Sequence, residues 1–137
     1  MQGSETVDAP AGQAFCWPVR VYYEDTDASG VVYHAAYLAY LERARTEWLR
    51  ARGWAQETLR QEAGVAFTVA GLRIDYLRPA RLDDQLQVSV EVMRQGRASF
   101  VLAQNASRGE ETLCRAEVRV GCVDAASFRP RALPFPL

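Results

Sequence analysis

The chain predicts an α+β domain in which one long helix lies across an antiparallel sheet. Two observations carry this expectation. Apolar residues recur at helical spacing over one stretch in the first half, and at alternate positions over much of the remainder. A helix with one apolar stripe and a sheet with one apolar face each have surface to bury, and they bury it on each other. The 137 residues are 49% apolar and 24% charged, which suits a single globular domain.

Residues 1–15 are small and polar, with Pro10 and Gly12, and read as a flexible arm before a domain spanning 16–127. The run Pro18 to Tyr23 reads as a short strand, because valine and tyrosine suit a pleated surface. From Ala36 to Arg52 the apolar positions Tyr37, Leu41, Ala44 and Trp48, with Leu38 and Leu49 beside them, form a helical stripe. Glu42, Arg43, Arg45, Glu47 and Arg50 are expected to face away from it, as a salt-bridged outer surface. Gly53 is a natural helix stop, and Ala55 to Ala63 reads as a second, shorter helix ended by Gly64.

The period then changes to two. Phe67 to Leu77 reads as a strand with Leu72, Ile74 and Tyr76 on one side, closed by Arg78-Pro79. In Gln85 to Val92 the residues Leu86, Val88, Val90 and Val92 alternate with polar ones, and Cys114, Ala116, Val118, Val120 and Cys122 do the same further on. Gln95-Gly96-Arg97 and Arg108-Gly109-Glu110 look like hairpin turns, so the last four strands are expected to form a meander. Residues 128–137 contain three prolines and read as a coiled tail.

Composition narrows the function. A net charge of −1 gives no basic surface for phosphate neutralisation and argues against nucleic acid. All sixteen bases are arginine, so Schiff-base chemistry on a lysine is excluded and phosphate binding falls to arginine. Cys16, Cys114 and Cys122 form no Cys-x-x-Cys pair, so they read as reduced core thiols, with neither a disulfide framework nor a metal site indicated. No basic-then-apolar leader and no membrane-length apolar run is seen, so a cytoplasmic location is expected.

Chemistry concentrates in Tyr22 to Tyr37, which holds the sole histidine, His34, together with Glu24, Asp25, Asp27 and Gly30. No base lies between Arg20 and Arg43, so these acids must turn to solvent, backbone amides or a ligand. Asp27 reads either as an Asx-turn residue or as a reactive carboxylate, and Asp25 as the turn acid. His34 stands at the helix entry, where first-turn amides lack intrahelical partners. Ser29 has no Gly-x-Ser-x-Gly elbow around it, so it is a poor nucleophile.

The segment Asp25-Thr26-Asp27-Ala28-Ser29-Gly30-Val31-Val32-Tyr33-His34, followed by Glu42-Arg43-Ala44-Arg45-Thr46-Glu47-Trp48-Leu49, resembles the signature of hotdog-fold acyl-CoA thioesterases. Within them it is most similar to the 4-hydroxybenzoyl-CoA thioesterase group and its YbgC-type, Tol-Pal-associated members. Tyr76 to Ala80 and Asp84-Gln85-Leu86 add softer signals, and the likeness spans about residues 17–125. The resemblance implies a helix wrapped by a curled sheet, and a homodimer joined edge to edge or doubled to a tetramer, with sites between subunits.

It also implies acyl-CoA hydrolysis without metal or organic cofactor, coenzyme A being part of the substrate. Asp27 would be nucleophile or general base, His34 would position substrate or polarise the carbonyl, and Tyr23 would orient the carboxylate or water. For Tyr23 a strand aromatic packed on the helix is the alternative. Gly30, Val31, Val32 and Tyr33 are implied to line the substrate. Arg97 matches a basic position of the thioesterases, the adjacent base falls on Gly96, and Arg94 is the compensating candidate for coenzyme A. Acyl carrier or lipid-synthesis proteins are implied partners. The rival readings are a non-catalytic acyl-thioester or acyl-carrier scaffold and a hotdog enoyl-CoA hydratase. The seven-residue separation of Asp27 and His34 disfavours the hydratase, whose members usually place the pair five apart.

Overall fold

A computed structural model describes residues 15–137. The proposed arm at 1–15 therefore lies outside the described residues except for Phe15, which begins β1 (Phe15–Arg20) and is buried. The strand starts earlier than expected and stops at Arg20, because the chain then tightens into a 3-10 turn, Tyr23–Asp25. Asp25 drives that turn: its carboxylate accepts the Tyr22 amide at 2.9 Å.

The long helix α1 spans Ala36–Ala51 and buries Tyr37, Tyr40, Leu41, Ala44, Trp48 and Leu49. Each large side chain of that stripe contributes about 1.5–3 kcal/mol by leaving water. Two expectations about its faces are corrected. Tyr40 is wholly buried although the stripe omitted it, and Leu38 is exposed. Arg45 is half-buried and turns inward to Gln104. Of the expected outer ion pairs only Glu47 with Arg50 forms, at 2.7 Å, while Arg43 lies over the Tyr40 ring.

Gly53, at φ +85°, ends α1 with the Trp54 amide on the Leu49 carbonyl and the Gly53 amide on the Arg50 carbonyl. That is the paired closure a left-handed residue permits. The second helix is shorter than its pattern: α2 covers Gln56–Thr58, and Leu59–Ala63 continues as a π-helical turn.

The sheet comprises β1, β2 (Val65–Tyr76), β3 (Gln85–Gln95), β4 (Ser99–Arg108) and β5 (Glu111–Asp124), in the order β1-β3-β4-β5-β2. All neighbours are antiparallel. The four-strand meander is thus corrected: β3, β4 and β5 follow one another, but β2 crosses over to pair with β5 and becomes an edge. Alternate residues of β3 and β5, among them Leu86, Val88, Val90, Cys114, Val118 and Val120, face the helix and form the core with it. Along β2, Val69, Leu72 and Tyr76 remain exposed.

Cys114 and Cys122 are buried free thiols and Cys16 is half-buried, and burial pushes all three thiol pKa values up. The tail is coil, as its prolines dictate, yet it packs: Phe135 is buried, stacked on Trp54 at 4.4 Å. Asp124 anchors its start by accepting the Ala126 and Ser127 amides and pairing with Arg131, and the amides foremost hold its pKa down at about 2.

Candidate active site

The loop between β1 and α1 is stitched along its whole length. Thr26 bridges Val32 and Val31 bridges Arg81. The Asp27 amide donates to the Val31 carbonyl at 2.9 Å, the Gly30 amide to the Asp27 carbonyl at 3.0 Å, and the Tyr33 amide to the Asp25 carbonyl at 2.8 Å. Asp27 to Gly30 is therefore a tight turn, and Gly30 at φ +82° occupies a conformation that costs a side-chain-bearing residue. The space around Gly30 is open, so conformation and not crowding is what requires glycine within one chain.

The segment 77–84 backs this loop. Val32 donates to the Ala80 carbonyl, and the Ala80 amide to the buried Tyr37 hydroxyl at 3.0 Å. Arg108 clamps the segment by pairing with Asp84 at 2.6 Å and Glu111 at 2.7 Å. The softer sequence signals around Ala80 and Asp84 are thus the scaffold of the loop, which the sequence could not say.

Asp27 is exposed, and its Oδ1 accepts the Ser29 amide at 2.8 Å. The turn reading of Asp27 holds, and the hydrogen bond that makes the turn also bears on its charge. The Ser29 amide, seconded by its hydroxyl, holds the Asp27 carboxyl below the usual aspartate range and keeps it ionised. Asp25 is the cap of the preceding turn, as expected.

His34 is exposed at the helix entry, its ring 4.4 Å from Tyr33 and 6.3 Å from Tyr76. The Tyr76 hydroxyl donates to the His34 carbonyl at 2.8 Å, tying the end of β2 to the start of α1. The cap residue of α1 is Ala35, which offers no side-chain acceptor, and no acid stands in the first turn. The Ala36 and Leu38 amides already donate to the Tyr33 and Ala35 carbonyls, and no side-chain cap takes the Tyr37 amide between them.

Tyr23 is 82% exposed in the 3-10 turn, so the alternative of a strand aromatic packed on the helix is corrected. Tyr33 is exposed, Val31 is half-buried, and Val32 is buried in the core, which removes the Val32 side chain from any substrate-lining role. No side-chain hydrogen bond joins Tyr23, Asp27 and His34 among the described residues, although one loop carries all three.

The arginines are not brought to this loop. Arg97 lies exposed in the β3–β4 hairpin, and Arg94 reaches Glu117 at 4.0 Å. The loop adjoins the Gln85 end of β3, where Val21 bonds Asp84, and the hairpin is at the other end. That separation is about 30 Å by strand rise. One chain therefore does not assemble Asp27 with Arg97.

Sequence reasoning missed Tyr40 and Gln104. The Tyr40 hydroxyl is buried with no hydrogen bond of good geometry, and burial together with the neighbouring Asp25 carboxylate pushes its pKa up. Gln104 is the one fully buried polar residue among the described residues. Its position on the core face of β4 was the available signal.

Comparison with known proteins adds four findings. The sequence model of the Thioesterase superfamily matches residues 29–115, a span that includes His34 and begins two residues after Asp27. The chain is 52% identical over 121 residues to the acyl-CoA thioester hydrolase YbgC of Escherichia coli O6:H1, covering 88% of this chain and 90% of that protein. It is 50% identical to the acyl-CoA thioesterase YbgC of Haemophilus influenzae, over 88% of each. A probable thioesterase from Bartonella henselae superposes with a TM-score of 0.84 at 35% identity, covering 89% of this chain and 100% of that one.

Proposed function

The chain belongs to the thioesterase superfamily and is an acyl-CoA thioester hydrolase of the hotdog fold, and on that premise we propose that Asp27 supplies the reacting carboxylate. The observation that carries the assignment is an exposed carboxylate, fixed by the Ser29 amide and held ionised, at the tip of a loop built by backbone hydrogen bonds. An ionised carboxylate can attack the thioester carbon, leaving an acyl-enzyme anhydride and coenzyme A thiolate, or take a proton from water that attacks instead. Both routes give a free acid and coenzyme A, and neither calls for a metal or an organic cofactor.

Negative charge develops on the carbonyl oxygen in either route. The Tyr37 amide, uncapped at the start of α1, suits it, with the His34 side chain nearby positioning the thioester. Tyr23 and Tyr33 flank the same loop, and Tyr23 orients the carboxylate or the attacking water.

The site is completed by a second copy of the chain. Supporting this are the edge strand β2, paired on one side only among the described residues and with Val69, Leu72 and Tyr76 exposed, the uncovered Tyr23, and the distance between Asp27 and the arginines. The protein is therefore expected to be an even-numbered homo-oligomer. Light scattering at micromolar concentration checks this, and a monomer would count against shared sites.

Arg97 is assigned to a phosphate of coenzyme A, with Arg94 in support. Such a contact is present in ground and transition states alike, so Arg97→Ala is expected to raise KM more than it lowers kcat. The loss should shrink on a pantetheine thioester, which lacks the nucleotide. Equal impairment on full and truncated substrates would make Arg97 a structural residue of the hairpin.

A further inference from the structure

A cavity of about 120 Å³ lies between α1 and the sheet, and none of Tyr23, Asp27 and His34 lines it. Trp48, Phe67 and Phe100 give it apolar walls, while Arg45 and Glu42 of α1 and Thr68 of β2 reach it as polar groups. The volume is several times the ~10–15 Å³ that one water needs, so it admits an organic group of several heavy atoms.

Arg45 is the anomaly. Its Nη1 donates to Gln104 Oε1 at 3.1 Å, and it forms no ion pair within 4.0 Å among the described residues. Gln104 cannot turn away, because its Nε2 donates to the carbonyls of Leu41 at 3.1 Å and Ser89 at 3.3 Å. A guanidinium has five N–H donors, and this one is held by a single neutral acceptor. Burial lowers its pKa, with Glu42 acting in the opposite sense. Arg45 is only half-buried and lines the cavity, so an oxygen that enters there meets N–H groups ready to donate.

We propose that this cavity receives the distal part of the acyl group, and that Arg45 donates there to a neutral oxygen acceptor such as a ketone carbonyl. This rests on the hydrolytic reading above. The neutral character follows from Glu42, which shares the cavity and is held by the Thr46 hydroxyl at 2.6 Å. Its charge opposes a carboxylate beside Arg45 and leaves an uncharged oxygen unaffected. Along α1 the start of the helix is about 14 Å from Arg45, too far for a short acyl group. The cavity also borders Thr68 and Val69 on the edge strand β2. The thioester therefore comes from the Asp27 loop of a second copy docked on that edge.

The test compares kcat/KM, by thiol release, for pentanoyl-CoA, 4-oxopentanoyl-CoA and glutaryl-CoA. Wild type is expected to favour 4-oxopentanoyl-CoA over pentanoyl-CoA by about tenfold, the lower end for one hydrogen bond to a charged group. Arg45→Met should erase that preference while pentanoyl-CoA turnover changes less than ~3-fold. A wild type without the preference overturns the proposal even where the variant does not fold. Equal losses on both substrates in Arg45→Met reduce Arg45 to a core clip, and glutaryl-CoA as the best substrate overturns the neutral acceptor. Release from all three without discrimination sinks this proposal alone, whereas no release from any sinks the hydrolytic reading with it.

Discussion

Asp27→Asn is expected to lower kcat at least ~10²-fold, the usual scale for losing a positioned acid-base group. Asparagine keeps the oxygen that accepts the Ser29 amide, so the turn and the fold survive, but its neutral amide neither attacks a thioester nor takes a proton. Asp25→Asn should cost much less, since Asp25 acts by capping the Tyr22 amide. The same assignment fixes a pH dependence. Because the Asp27 pKa is lowered, kcat/KM should be retained down through the ordinary aspartate range, near ~4, and fall only below it as the carboxylate is protonated. Thiol-release assays across pH, with circular dichroism as the check on folding, measure both. Equal turnover by wild type and Asp27→Asn would move the chemistry to another group.

Gln104→Ala is expected to destabilise the protein by about 2–3 kcal/mol, the scale of buried polar groups left unpaired together with a small cavity. The change strips an acceptor from Arg45 and a donor from the Leu41 and Ser89 carbonyls, inside a core where water does not replace them. The melting temperature should fall by about 10 °C at fixed protein concentration, the concentration mattering because the oligomer is linked to folding. Gln104→Glu offers a contrast, since a carboxylate would pair with Arg45 but lose the donors to both carbonyls. A drop below ~2 °C for Gln104→Ala would mean that β4 and α1 are held together without this clip.

The period of the sequence made α1, β3 and β5 legible, because each buries one face and side chains on that face recur at 3.6 or 2 residues. What period does not encode is which strands pair. Nothing in Phe67 to Leu77 distinguishes a neighbour of β3 from a neighbour of β5, and β2 took the latter place. Arg45 was misread for a related reason: a charged residue on a helix is ordinarily solvated, and only the facing Gln104, far away in sequence, draws it inward. The Asp27 loop was legible through its resemblance and through the density of acids around one glycine. Its supports at Ala80, Asp84 and Arg108 were not, since those contacts join separate segments of the chain.

Thiol release by the purified wild-type protein across a panel of acyl-CoA thioesters tests most directly whether Asp27 drives hydrolysis. Sustained multiple-turnover release, lost in Asp27→Asn at unchanged oligomeric state, is the predicted result. Binding of acyl-CoA with no release above the buffer rate would contradict it and leave a scaffold that holds thioesters without cleaving them.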